Sequence, residues 1–89
     1  MKPKMINVGF NNYVPEAIIM AVVVPDSAPV RRKLTEAKRN GTVIDITFGR
    51  KTRSIIFTKE NVLILSAINP ETLAKRYNSE EADVPQNAW

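Results

Sequence analysis

Apolar residues in the first part of the chain fall into two runs that predict β-strands. Residues 5–10 place Ile6 and Val8 on one side of an extended segment, and Asn11-Asn12 follows as a turn signal. Residues 18–24 are almost entirely apolar and rich in β-branched side chains. Such a run is typical of a central strand that is covered on both faces, or of a strand that lies in an oligomer interface.

Three further apolar runs follow, at residues 42–47, 54–58 and 62–66. The first two flank a polar and basic stretch, residues 48–53, which the pattern therefore predicts to be the connection of a β-hairpin. A polar turn at residues 59–61 separates the second run from the third. We expect these three strands to pair as an antiparallel meander.

Two segments carry the start and stop signals of α-helices. Asp26 or Ser27 can accept the backbone N–H groups at the start of the first helix, and Pro29 is tolerated in its first turn. That helix ends before Gly41, which readily takes the left-handed conformation. Asn69-Pro70-Glu71 combines a cap, a first-position proline and an acid in the first turn, and it begins the second helix.

Together these elements predict an α+β fold, with a small antiparallel sheet of about five strands and two helices. Residues 1–78 are expected to form one domain, because a chain of 89 residues buries only a modest core. Residues 79–89 are polar and acidic, and we expect them to form a disordered tail.

The composition removes several kinds of site. The chain has no cysteine and no histidine, which excludes disulfides, Cys/His zinc sites and histidine-dependent catalytic triads. No other pattern indicates catalysis, a metal or a cofactor, so we expect a protein that is not an enzyme. No apolar run approaches the length of a membrane span, and none follows the basic start as in a signal peptide. We therefore expect a cytoplasmic protein without a membrane partner.

The net charge of +4 is unevenly distributed along the chain. Between residues 31 and 53, eight Lys and Arg residues stand against two carboxylates, a net of +6. The remainder has five Lys and Arg residues against seven carboxylates, a net of −2, which restores the total. A basic block on a mildly acidic molecule indicates a polyanionic partner such as nucleic acid.

The predicted connection at residues 48–53 is the candidate binding site. Arg50, Lys51 and Arg53 fall within four positions there, beside Gly49, which can take a positive φ. Cations held so close repel one another, so they add nothing to the stability of the fold. A phosphate backbone would turn this repulsion into attraction.

Two more cations, Arg31 and Arg32, stand near the start of the first helix and complete the candidate DNA-binding set. Each costs up to about 0.3–1 kcal/mol if it lies in the first turn, because the N-terminal end of a helix is positive. Glu36 offsets part of this cost by pairing with Arg32 or Lys33. The remaining mismatch is mild evidence for a function.

Four stretches, in this order and spacing, carry a resemblance to a known family. They are Ile6-Asn7-Val8-Gly9-Phe10, Pro25-Asp26-Ser27-Ala28-Pro29-Val30-Arg31-Arg32, Asp45-Ile46-Thr47-Phe48-Gly49-Arg50-Lys51-Thr52-Arg53-Ser54 and Leu65-Ser66-Ala67-Ile68-Asn69-Pro70-Glu71-Thr72-Leu73-Ala74. They resemble the RemA family, the bacterial regulators of extracellular-matrix (biofilm) genes, over about residues 4–77.

The resemblance implies a sequence- or shape-selective DNA-binding transcriptional regulator without a cofactor, whose dimers assemble into rings. It also implies a fold similar to the β-rich LytTR-type DNA-binding domains. Carried over by position, Arg50, Lys51 and Arg53 would contact double-stranded DNA. The chain departs from the family pattern at Lys51, where a second arginine is expected, at Phe48, where a histidine is common, and at Ala17-Ile18, where an Asn-Arg pair is common.

Two other functions stay open. RNA-binding modules stack single-stranded bases on exposed aromatic side chains, but the spacing of Phe48 and Phe57 favours a place in the core. A structural oligomer or protein-interaction module is the third possibility, and the apolar run at residues 18–24 supports it.

Overall fold

A computed structural model describes residues 4–78 and shows the expected α+β class with two helices and small sheets. The elements in chain order are β1 (Met5–Asn7), β2 (Tyr13–Pro15), a 3-10 turn (Glu16–Ile18), β3 (Ile19–Val23), α1 (Ala28–Asn40), β4 (Val43–Asp45), β5 (Ser54–Thr58), β6 (Leu63–Ser66) and α2 (Pro70–Asn78). The expected disordered tail at residues 79–89 lies outside the described residues, and the LytTR likeness stays a prediction. No helix within residues 4–78 is long and apolar enough to cross a membrane.

The strands form two sheets. β1 and β2 pair antiparallel as a small hairpin, so the first apolar run is shorter than predicted and is followed by a strand that the sequence analysis missed. The other four strands form a sheet in the order β3-β5-β6-β4. Within it, β3 and β5 pair antiparallel, as do β5 and β6, whereas β4 and β6 are parallel.

The predicted hairpin between β4 and β5, and with it the antiparallel meander, is wrong. β6 lies between these two strands, so residues 46–53 cross the end of β6 instead of joining neighbours. The tight turn after β5 explains this order, because Asn61 takes a φ of 64° there and Thr58 Oγ1 donates to the carbonyl of Val62. β5 and β6 therefore pair with each other, and the longer connection easily spans the roughly 10 Å between next-nearest strands.

A separate hydrophobic core packs against each face of the four-stranded sheet, because side chains alternate along β5 and β6. Ile56 and Ile64 face the β1–β2 hairpin and α2, whereas Ile55 and Leu65 face α1. This two-sided cover explains why all four residues of β6 are buried.

The apolar run at residues 18–24 is not a central strand. β3 lies at one edge of the sheet, with Val22 against one core and Val23 against the other. Met20 sits at an irregularity in the pairing and is 65% exposed, and Val24 is 50% exposed. The interpretation as an oligomer interface stays a prediction.

The first helix begins and ends where the sequence predicts. Ser27 Oγ accepts the N–H of Val30 at 3.4 Å as the N-cap, and Gly41 ends the helix with a φ of 73°. The narrow apolar stripe of α1 packs on the sheet through Val30, Leu34 and Ala37. Its charged face is left exposed to solvent.

Candidate nucleic-acid interface

One end of the four-stranded sheet gathers the candidate residues. The register aligns Val23, Ile55, Leu65 and Asp45 in a row across the strands, so β3, β6 and β4 all end where β5 begins. We call this the loop end, and the opposite end, where Phe57, Leu63 and Val43 align, the far end. The connection at residues 46–53, the start of α1 and the start of α2 all lie at the loop end.

Asp45 fixes the start of the connection. Its Oδ1 accepts hydrogen bonds from the backbone N–H of Thr47 at 2.9 Å and from the Thr47 hydroxyl at 2.7 Å. These two bonds to the ionised form lower the pKa of the Asp45 carboxyl, and the positive charge of Lys38 adds to the effect. Thr47 is buried, so the connection leaves the sheet from a fixed point.

The tip of the connection is a tight turn. The N–H of Arg50 donates to the carbonyl of Thr47 at 3.0 Å, and the two central residues, Phe48 and Gly49, have φ values of 53° and 82°. Two positive φ angles are the pattern of a type I′ turn, which favours Asn, Asp or Gly at both central positions. Gly49 fits that rule, but a bulky residue such as Phe48 is strained at a positive φ.

A second turn of the same kind faces the first. In the β1–β2 hairpin, the N–H of Asn12 donates to the carbonyl of Gly9 at 2.9 Å, and Phe10 and Asn11 have φ values of 53° and 63°. Each of the two turns thus carries a phenylalanine at its first central position. The signal for this turn in the sequence is Asn11-Asn12, which shows that a turn exists but not what it contacts.

The two turns meet through three side chains, Phe10, Phe48 and Arg50, which we call the tip cluster. The rings of Phe10 and Phe48 pack edge to face with their centroids 4.8 Å apart and their planes at 75°. The guanidinium carbon of Arg50 lies 4.8 Å from the centroid of the Phe10 ring, a cation–π geometry. Sequence analysis missed Phe10, and it wrongly placed Phe48 in the core, since this side chain is 69% exposed.

Two fully buried serines tie these turns to the sheet. Ser66 Oγ donates to the carbonyl of Val8 at 2.7 Å and accepts the N–H of Ile68 at 3.0 Å. Ser54 Oγ donates to the carbonyl of Ile68 at 2.8 Å. The N–H of Arg53 also donates to the carbonyl of Ser66, at 2.9 Å. The hairpin and the end of the connection are therefore fixed to the same strand end.

The five predicted DNA-binding residues are all exposed and all lie at the loop end, but in two groups. Arg50, Lys51 and Arg53 stand together in the connection. Arg31 and Arg32 lie at the start of α1, which packs on the face of the sheet opposite to the hairpin, and Arg31 Nη2 donates to the carbonyl of Asp26 at 3.1 Å. The site is thus a basic connection, with a second basic group at the start of α1 at the same end of the sheet.

None of these five cations forms a salt bridge within residues 4–78. The salt bridge found there joins Lys33 and Glu36 at 4.0 Å, one of the two pairings expected for Glu36. Asp26, Asp45 and Glu71 also lie at the loop end, and Asp45 is already engaged with Thr47. The guanidinium of Arg50 contacts an aromatic ring and no carboxylate within residues 4–78, so its positive charge is available to a ligand.

Comparisons with known proteins agree on one family. A family model described as RemA-like, Extracellular matrix regulatory protein A-like, matches residues 5–77. A candidate regulatory protein of Alkaliphilus metalliredigens is 48% identical over 83 residues, which cover 93% of this chain and 89% of the relative. The corresponding protein of Pelotomaculum thermopropionicum is 50% identical over 92% of this chain and 90% of the relative. That of Nitratidesulfovibrio vulgaris is 51% identical over 90% of this chain and 91% of the relative.

Proposed function

This chain belongs to the RemA-like family, and we propose that it regulates transcription by binding double-stranded DNA through the basic connection at the loop end. The observation that carries the proposal is the state of Arg50, Lys51 and Arg53. They are exposed, close together and without a carboxylate partner in residues 4–78. Such charges destabilise the free protein slightly and favour a phosphate backbone strongly.

The arrangement suits backbone contacts and groove shape better than the reading of base edges. Arg50 stands on a narrow turn, and its guanidinium contacts the Phe10 ring. We therefore expect the side chain of Arg50 to enter a narrow, A·T-rich minor groove. Lys51 and Arg53 follow it in the connection and would hold the phosphates on either side. Arg31 and Arg32 extend the same basic surface beyond the connection.

The active form in this proposal is a ring of dimers. One connection supplies three cations, which neutralise few phosphates, whereas a ring repeats them along a bent duplex. The edge strand β3 supports assembly, because among residues 4–78 no strand pairs with its outer edge, which lies beside the exposed side chains of Met20 and Val24. Sedimentation with and without DNA tests this part of the proposal.

The test of DNA binding is a titration of fluorescently labelled duplex at several salt concentrations. We expect the double variant Arg50→Ala/Lys51→Ala to bind much more weakly than wild type. The slope of log affinity against log salt should also become shallower by about 0.9 for each phosphate that the variant no longer neutralises. The matched control is Arg39→Ala/Lys59→Ala, which removes one arginine and one lysine from the far end and should bind as wild type does.

Equal binding by wild type and by the Arg50→Ala/Lys51→Ala variant would contradict the proposed site.

A second candidate function is RNA binding, which the exposed ring of Phe48 favours because bases stack on exposed aromatic side chains. Competition between unlabelled duplex DNA and single-stranded RNA separates the two functions. A ring that binds neither at low salt would indicate a structural oligomer.

A further inference from the structure

We propose that Phe48 is an apolar wedge that enters a base step of duplex DNA from the minor groove, with Phe10 as its support. This inference rests on the proposed function, because the wedge needs duplex DNA at the loop end. Proteins that bind the minor groove often insert one apolar side chain between base pairs and thereby bend the duplex. The chemistry recognised is a deformable base step, in addition to the phosphates.

Phe48 stands at a position where it adds little to the stability of the fold. Its side chain is 69% exposed, so it contributes little to either hydrophobic core. Its φ of 53° strains a bulky residue, and the turn type favours Asn, Asp or Gly at this position. Residues held in strained backbone conformations are concentrated at functional sites.

The ring of Phe48 is also held in place by a second ring. Phe10 packs edge to face against Phe48, and it sits on a turn of the same type whose strand is tied to the sheet by the Ser66 hydroxyl. A ring with a fixed orientation loses little conformational entropy when it inserts. The support comes from a different part of the chain, so it does not depend on the flexibility of the connection itself.

Arg50 lies on the same support as the proposed wedge. Its guanidinium contacts the ring of Phe10, which also contacts Phe48, so a cation and a wedge lie side by side on one support. A wedge opens a base step while a neighbouring cation is attracted to the negative potential of the groove. The two side chains thus act on the same short segment of duplex.

The geometry favours a duplex step over an unpaired base. A base from a single strand is typically held on the flat face of an aromatic ring, often between two parallel faces. Here the planes of Phe10 and Phe48 stand at 75°, and the face of Phe10 is already covered by the guanidinium of Arg50. One free ring beside a cation matches a wedge.

The experiment measures DNA bending by energy transfer between dyes at the two ends of a short duplex with a central TA step. Wild type should shorten the distance between the dyes. Phe48→Asn should bind with little bending, because asparagine suits the turn but cannot insert. Phe48→Leu should keep most of the bend, since leucine also serves as a wedge. Wild type, but not Phe48→Asn, should bind a duplex with a central mismatch roughly fivefold more tightly than the matched duplex.

The outcomes separate the wedge from the proposed function. If Phe48→Asn binds and bends DNA as wild type does, the wedge is overturned and DNA binding stands. If neither Phe48→Leu nor Phe48→Asn binds duplex and wild type prefers single strands, the ring is a base-stacking surface and the wedge is overturned. If wild type binds no duplex, the proposed function fails and the wedge fails with it. Urea unfolding shows whether Phe48→Asn folds as wild type does. If it does not, the binding of wild type to the two duplexes decides the proposal, and equal affinity for the matched and the mismatched duplex overturns the wedge.

Discussion

Replacing Ser66 with alanine should destabilise this protein far more than the loss of one small hydroxyl suggests. The side chain is 0% exposed and makes two hydrogen bonds. It donates to the carbonyl of Val8, which lies 58 positions away in the chain, and it accepts the N–H of Ile68, two positions away. Alanine leaves both of these buried backbone groups without that partner.

The magnitude follows from the number of groups left unpaired. A buried polar group without a partner costs about 1–3 kcal/mol, so the two groups give roughly 2–6 kcal/mol. A chain of 89 residues has a total stability of only about 4–13 kcal/mol at the usual value per residue. Ser66→Ala should therefore remove a large fraction of the free energy of unfolding. The melting temperature should fall by about 4–8 °C for each kcal/mol of destabilisation.

The matched control is Ser54→Ala. Ser54 is also 0% exposed, but its hydroxyl makes one hydrogen bond, to the carbonyl of Ile68. Both substitutions remove the same oxygen atom from a β-strand, so their cavity costs are similar, and Ser54→Ala should cost only about 1–3 kcal/mol. Urea unfolding followed by circular dichroism measures both. If Ser66→Ala lowers the free energy of unfolding no more than Ser54→Ala does, or by less than about 1 kcal/mol, the two hydrogen bonds of Ser66 do not contribute as proposed.

Three further substitutions concern the same end of the sheet. Gly9→Ala should lower the free energy of unfolding by about 1–3 kcal/mol or more, because Gly9 has a φ of 125° and an added Cβ would lie 3.3 Å from Ile68. Gly49→Ala should cost less, about 1–2 kcal/mol at most, since its φ is 82° and no atom of residues 4–78 beyond its chain neighbours lies within 4 Å of the added Cβ. Equal urea midpoints for the Gly9→Ala and Gly49→Ala variants would contradict this expectation. Asp45→Asn should lower the melting temperature at pH 7, because the lowered pKa of Asp45 means that the ionised carboxylate stabilises the folded state above the ordinary aspartate pKa of about 3.9. This stabilisation is lost as the pH falls through the lowered pKa of Asp45. The difference in melting temperature between wild type and Asp45→Asn should therefore narrow below about pH 4. A difference in melting temperature that stays constant with pH would argue against the Thr47 hydrogen bonds as its cause.

The basic connection was recognisable in the sequence because its features are local. Arg50, Lys51 and Arg53 are close in the chain, so they are close in any fold. Whether these cations have carboxylate partners depends on segments that are distant in the chain, so only the structure shows that they have none within residues 4–78. The sequence also predicts Arg31 and Arg32, at the start of α1, as part of the site. Only the strand register shows that they lie at the same end of the sheet as the connection.

The sequence alone determined both helices, the apolar strands and the position of the basic stretch. These depend on caps, turn residues and periodicity, which act over a few positions, as with Ser27 and Gly41 around α1. Only the tertiary structure decided that β6 separates β4 from β5, that β3 is an edge strand, and that Phe10 supports Phe48 and Arg50. Each of these rests on pairing between segments that are distant in the chain, and the pattern of a segment states which of its faces is apolar but not which partner covers it.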